Sequence, residues 1–196
     1  MNEIEHLAAL ETDATTAVAA FRQRAAQEGL LDVAYADLDS PLGPLSVFVT
    51  ARGLVRLAYG EAHDELDDIA ERLSPRIVEA PEQTDAVRRE LEAYFAGARR
   101  GFDVPVDWSL VRGFAGAVLQ ATARIPFGSV SSYRDVATDA GSPNAYRAAG
   151  NALGSNPVPI VVPCHRVLHA GGGLGGYTGG LERKRFLLHL EGVLRE

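Results

Sequence analysis

Apolar residues recur at fourfold spacing near the start of the chain, with Ala17, Phe21 and Ala25 in one line, Asp13 placed to cap and Gly29 just past the end. That spacing keeps side chains on one side of a 3.6-residue spiral and predicts a helix over residues 13–29. The pattern then shortens. Val33 and Tyr35, the turn SPLGP, the run LSVFVT, the turn ARG and the run LVRLAY read as short strands joined by tight turns. Helical spacing returns in DELDDIAERL and TDAVRRELEAYFAG, the second closed by Gly97. The first half is therefore predicted to be a small α/β unit, an antiparallel sheet with helices.

The stretch RRGFDVPVDW has a proline and no sustained period, and it suggests a boundary between residues 1–107 and 108–196. Beyond it helices dominate. SLVRGFAGAVLQATARI lines up Leu110, Phe114, Val118 and Leu119 and stops at Pro126-Phe127-Gly128. Ser131 can cap SYRDVATDA, which ends at Gly141, and Pro143 can open NAYRAAGNALG; two short helices around a glycine turn suggest a helix-turn-helix. The second of these carries Ala145, Ala148, Ala149, Gly150 and Ala152, with Arg147 as its only charge. So little bulk suits either tight packing on a neighbouring helix or close approach to a DNA groove.

Composition narrows the function. With 196 residues and 46% apolar side chains, the chain can bury a core without staples. One cysteine forms no internal disulfide and no multi-cysteine zinc site, so no metal or cofactor is expected. The opening MNEIEHLAAL lacks the basic and apolar segments of a signal peptide, and no run is apolar enough to span a bilayer, so a reducing cytoplasm is the expected home. The net charge of −7 speaks against a phosphate-binding surface, but it is an average of two unlike halves. Residues 1–107 hold 10 Arg against 21 acids, a net of −11, whereas residues 108–196 hold 8 Arg and 1 Lys against 5 acids, a net of +4. An acidic scaffold joined to a half that meets an anion fits that split, as does a solvated basic face.

The lone cysteine, Cys164, lies in PIVVPCHRVLHAGGGLGGYTGG, inside the basic half. The apolar run IVV predicts a short buried strand delivering Cys164 at its end, and the cationic neighbours His165 and Arg166 favour thiolate over thiol. The glycines at 171–180 let a loop come close to a ligand. A nucleophilic sulfur needs a base and a group to orient it, which His165 and Glu191 can supply; a buried, inert filler is the competing role for a free cysteine.

PCHRV, with NPVPIVV before it and GGYTGGLERKRFLLHLEG after it, resembles the active-site signature of the O6-alkylguanine-DNA alkyltransferases, and SYRDVA and the RAAGNAL helix fall in the expected order upstream. The resemblance implies a ribonuclease-H-like α/β amino-terminal domain and a mostly helical carboxy-terminal domain that binds double-stranded DNA containing O6-alkylguanine. It implies that Cys164 takes the alkyl group once and irreversibly. His165 and Glu191 would polarise the cysteine, with a water carrying the proton, and Tyr133 would help rotate the nucleotide and hydrogen-bond the guanine. Arg147 would fill the gap left in the stack, on a helix whose Ala145, Ala148 and Gly150 approach the DNA. The pocket would use Tyr177, a backbone N–H of Thr178, the carbonyls of Cys164 and Val167, and Asn156 as a brace. A monomer is expected, with cooperative assembly on DNA left open. Tyr146, where a small residue is expected, and Ala149, where valine is usual, depart from the pattern. Two other readings remain: a non-catalytic sensor of alkylated guanine, disfavoured by the presence of Cys164, and a cysteine hydrolase, which would turn over repeatedly.

Overall fold

The computed structural model describes residues 28–194 together with 16–18, 20, 24 and 25. Those isolated early positions are helical, and Gly29 takes φ +67, the left-handed conformation that suits a residue past a helix end. Asp13 and Phe21, and the remainder of that expected helix, lie outside the described residues.

Strands β1 (Val33–Leu38), β2 (Leu45–Thr50) and β3 (Gly53–Tyr59) form the expected meander, each antiparallel to the next. A fourth strand, β4 (Ile77–Glu79), pairs parallel with β1, giving the order β3-β2-β1-β4. The sheet is thus mixed rather than antiparallel. Three residues are too few to show an alternation in the sequence, and a parallel neighbour needs a crossover, here carrying helix α1 (Leu66–Arg72).

Alternation along β2 divides the interior. Phe48 faces a small core with Val33, Val55 and Ile69 of α1, while Leu45 and Val47 face the main core. Helix α2 (Pro81–Phe95) supplies Val87, Leu91 and Tyr94 to that main core at helical spacing, each side chain contributing about 2 kcal/mol when buried. It begins at Pro81, earlier than the apolar spacing alone indicated, because proline's fixed φ and missing N–H suit the first helical turn.

The main core does not stop at residue 107. Leu45, Leu57 and Leu91 belong to the same apolar cluster as Val118, Leu119, Ile160 and Leu187. The connecting stretch is itself held down: Asp107 accepts from Thr50 Oγ1 at 2.6 Å and pairs with Arg52, and Leu54 N–H donates to the Pro105 carbonyl. Gly53 makes that approach possible, since a Cβ there would lie 2.1 Å from the Pro105 oxygen.

Four helices follow: α3 (Gly113–Ala123), α4 (Tyr133–Asp139), α5 (Tyr146–Gly154) and α6 (Leu181–Leu190). Helix α3 is shorter than its pattern predicted, because Arg112 is extended and Gly113 has φ +58, so residues 108–110 form a separate 3-10 turn. Helix α4 is capped by Ser132, not Ser131, in a reciprocal capping box with Asp135. Ser131–Ser132 (β5) instead pairs parallel with Val167–Leu168 (β6), joining the start of the helix pair to the segment after the cysteine. Gly141, at φ +82, makes the turn between α4 and α5. Of the small residues in α5, Ala149 and Ala152 are buried, while Ala148 is exposed. Among the described residues no helix is long and apolar enough to cross a membrane.

Candidate active site

The expected strand before the cysteine is a series of tight turns. Pro157, Pro159 and Pro163 have no N–H to give a ladder. Val161 N–H reaches back to Pro159, Val162 to Val158 and Cys164 to Val162, and Ile160 is held at φ +73. Cys164, His165 and Arg166 then occupy one 3-10 turn, so three successive side chains diverge by roughly a third of a turn each. That divergence sends Cys164 toward a cleft while His165 and Arg166 face inward to Glu191.

Glu191 follows the last residue of α6 and its side chain is fully buried. Its Oε1 receives the Tyr94 hydroxyl at 2.7 Å, His165 Nε2 at 2.9 Å and Arg166 Nη2 at 2.8 Å; Oε2 receives Arg166 Nε at 2.9 Å. Burial alone would push this carboxyl up, but the bonds from His165 and Arg166 outweigh it and hold it at about 2. The carboxylate is therefore acceptor only, which requires His165 Nε2 to carry the proton and leaves Nδ1 with its lone pair free. Nδ1 is buried and has no hydrogen-bond partner among the described residues. Burial also pushes the imidazole's pKa down, keeping it neutral. What results is an imidazole whose tautomer is fixed from behind, with Nδ1 left as an acceptor.

Cys164 itself is 7% exposed, and its Sγ receives Asn156 Nδ2 at 3.2 Å. The same amide donates to the Val162 carbonyl at 2.8 Å, and its oxygen accepts Val158 N–H. The expectation that His165 and Arg166 would lower the thiol pKa is overturned. Burial raises it, and the Asn156 bond and the charge of Lys184 offset only part of that, because Arg166 is turned onto Glu191.

Cys164 borders a cleft of about 730 Å³, walled by Tyr133 of α4, by Tyr146, Arg147 and Gly150 of α5, and by Tyr177 and Thr178 of the glycine loop. Tyr133 lies against α5 at Gly150, its ring carbons 3.7 Å from where a Cβ would be, an ordinary contact distance. Thr178 Oγ1 donates to the Gly154 carbonyl, tying loop to helix, and Tyr177 OH is 2.6 Å from Tyr59 OH of β3. Asn156 lies behind the cysteine in an adjoining hollow. Val167 is fully buried and outside the cleft lining. Ala145 and Ala148 are also outside it. Among the described residues no group of three or more His, Cys, Asp or Glu is placed to hold a metal.

Four partners were not apparent from the sequence: Tyr94, Arg166 in its role toward Glu191, Tyr59, and Lys184. Lys184 is the chain's sole lysine and is fully buried, with Nζ donating to the carbonyls of Val167 at 2.7 Å and of Leu174. Its compact ammonium thus joins two backbone oxygens on either side of the glycine loop. Burial pulls it down to about 8. Replacing Lys184 by methionine is expected to loosen residues 167–176, seen as faster amide exchange there, and to slow chemistry at Cys164 by on the order of tenfold; unchanged exchange would deny Lys184 this clasping role.

Acid sensitivity follows from the same cluster. Folded His165 and folded Glu191 both bind protons more weakly than their ordinary values of 6.5 and 4.5. The unfolded chain takes up protons first, so stability falls as pH drops below about 6.5 and again below about 4.5 toward 2. The thermal midpoint should decline in those two windows, the upper one vanishing in His165→Gln; a flat profile from pH 7 to 4 would contradict it.

Comparison with known proteins agrees with this architecture. Residues 33–108 match the family model described as 6-O-methylguanine DNA methyltransferase, ribonuclease-like domain, and residues 113–193 match that family's DNA binding domain. The chain is 40% identical over 160 residues to a methylated-DNA-protein-cysteine methyltransferase of Methanosarcina acetivorans, covering 81% of this chain and 97% of that protein. It is 41% identical over 145 residues to the inducible enzyme of that name in Bacillus subtilis, covering 72% and 80%. The solved structure of Mycobacterium tuberculosis OGT in complex with DNA superposes with a TM-score of 0.68 at 40% identity, covering 81% of this chain and 92% of that one. A helix pair beside a buried cysteine at the edge of a cleft, a matching domain order and this degree of identity lead to one conclusion: the chain belongs to the 6-O-methylguanine DNA methyltransferase family.

Proposed function

We propose that this chain repairs DNA by direct reversal, moving the alkyl group of O6-alkylguanine in a duplex onto Cys164. The observation that carries the reading is the sulfur at the edge of a cleft with a tautomer-fixed imidazole behind it. The thiol gives its proton, through a water, to His165 Nδ1 as sulfur attacks the alkyl carbon. A carbon–sulfur bond forms, the carbon–O6 bond breaks, and the electron pair leaves on guanine, where the Tyr133 hydroxyl stabilises it until a proton restores the base. The product thioether has no hydrolytic exit, so each chain acts once.

Reaching the alkyl carbon requires the guanine to leave the stack, at a cost of a few kcal/mol. Arg147 takes the vacated place, with Ala145, Ala148 and Gly150 allowing α5 to approach the groove. Thr178 N–H meets O6, and the carbonyls of Cys164 and Val167 receive the exocyclic amine; Val167 has a second lone pair for this beside the one facing Lys184. Tyr177 lines the pocket and Asn156 braces the turn into the cysteine. The protein works as a monomer in the cytoplasm. Non-catalytic sensing is disfavoured because a nucleophile with its own base occupies the site, and repeated hydrolysis is disfavoured by the missing route off sulfur.

Intact-protein mass measurement after mixing with methylguanine-containing duplex tests this. One added methyl per chain, mapped to residue 164, is expected; lesion consumption well beyond molar equivalence, or unmodified sulfur, would refute it.

A further inference from the structure

Tyr146, the bulky departure in α5, is 41% exposed. Tyr146, Gly150, Leu153 and Gly154 recur at i, i+4, i+7 and i+8, and this stripe lines the cleft, so the ring stands at its mouth rather than on the opposite face of the helix. The Arg134 guanidinium, from α4, and that of Arg147 each lie 5.9 Å from the ring centroid, and both line the cleft. Neither makes an ion pair or side-chain hydrogen bond among the described residues. Many other arginines, Arg56, Arg72, Arg76, Arg88 and Arg166 among them, pair with carboxylates, although Arg100 and Arg183 also lie over rings without one. Two cations gathered on one ring, without an anion, are a site for one.

We propose that Arg134, Tyr146 and Arg147 form a clamp for a DNA phosphate at the mouth of the cleft. The ring fixes both guanidiniums, Arg134 engages the phosphate beside the extruded nucleotide, and Arg147 stays aimed at the stack. This rests on the repair reading above and adds to it a backbone contact and a positioning role for Tyr146.

The test measures duplex affinity against salt, and single-turnover rates on lesion duplex and on free O6-benzylguanine, for the wild type, Arg134→Gln, Tyr146→Ala and Tyr146→Phe. Arg134→Gln should lower the log–log salt slope by about 0.9, one phosphate contact. Tyr146→Ala should reduce the ratio of duplex to free-base rate by about two- to fivefold, the value of an exposed cation–π contact, and Tyr146→Phe should restore it because the ring and not the hydroxyl acts. An unchanged slope, a Tyr146→Ala protein as fast as wild type on duplex, equal slowing on both substrates, or failure of phenylalanine to restore the ratio would each overturn the clamp. A wild type that transfers nothing from duplex would bring down the repair reading itself.

Discussion

Cys164→Ala is expected to abolish alkyl transfer while duplex affinity stays within about twofold of the wild type. The sulfur is at the edge of the cleft and only 7% exposed, so it adds little contact area to bound DNA. Nor should the fold suffer. Asn156 Nδ2 loses the sulfur but keeps the Val162 carbonyl, and its oxygen keeps Val158 N–H, so no polar atom is stranded and the stability change should be about 1 kcal/mol. Transfer is read by mass and affinity by titration of the duplex. Parallel loss of both would mean that Cys164 holds the structure together and is not the acceptor.

Glu191→Gln should do damage of a different kind, in stability and in rate together. The carboxylate collects Tyr94, His165 and the Nε–Nη2 edge of the Arg166 guanidinium. An amide must turn its NH2 toward some of those donors, and it leaves the buried guanidinium without a counter-charge. Breaking a buried pair in this way costs about 3–5 kcal/mol. The imidazole also loses the acceptor that fixes its tautomer, so the rate at Cys164 should fall about a hundredfold or more. Chemical denaturation and single-turnover rates check the two effects. The double replacement Glu191→Leu with Arg166→Met separates them: it should recover much of the stability by removing both charges, and none of the rate. A Glu191→Gln protein with near-native rate would remove His165 from its role as base.

The meander and the helix pair were readable because each has a local cause: alternation in LSVFVT, glycine ends at 97 and 141, and a serine cap displaced by a single position. What escaped was determined at a distance. β4 is three residues long and is defined by its partner β1. The run IVV has strand composition, but three prolines within seven residues deny it a ladder, a case where turn chemistry overrides propensity. Arg166 read as an activator of its neighbour because adjacency is all a sequence displays, whereas the 3-10 turn points it at a carboxylate 25 residues away. Tyr94 lies within a stretch of helical spacing, but that its hydroxyl meets Glu191 depends on how the acidic half docks. Cys164, His165 and Glu191 were named together because of a signature, not because spacing demanded it.

The apolar interior shared by Leu45, Leu91, Val118 and Leu187 carries a lesson for anyone wishing to shorten this chain. A cut at residue 107, between the two matched domains, would strip apolar surface from both pieces and take the Tyr94 phenol away from Glu191. The acidic portion thus supplies a hydrogen bond to the carboxylate that holds His165, and trimming it away is expected to slow transfer to Cys164.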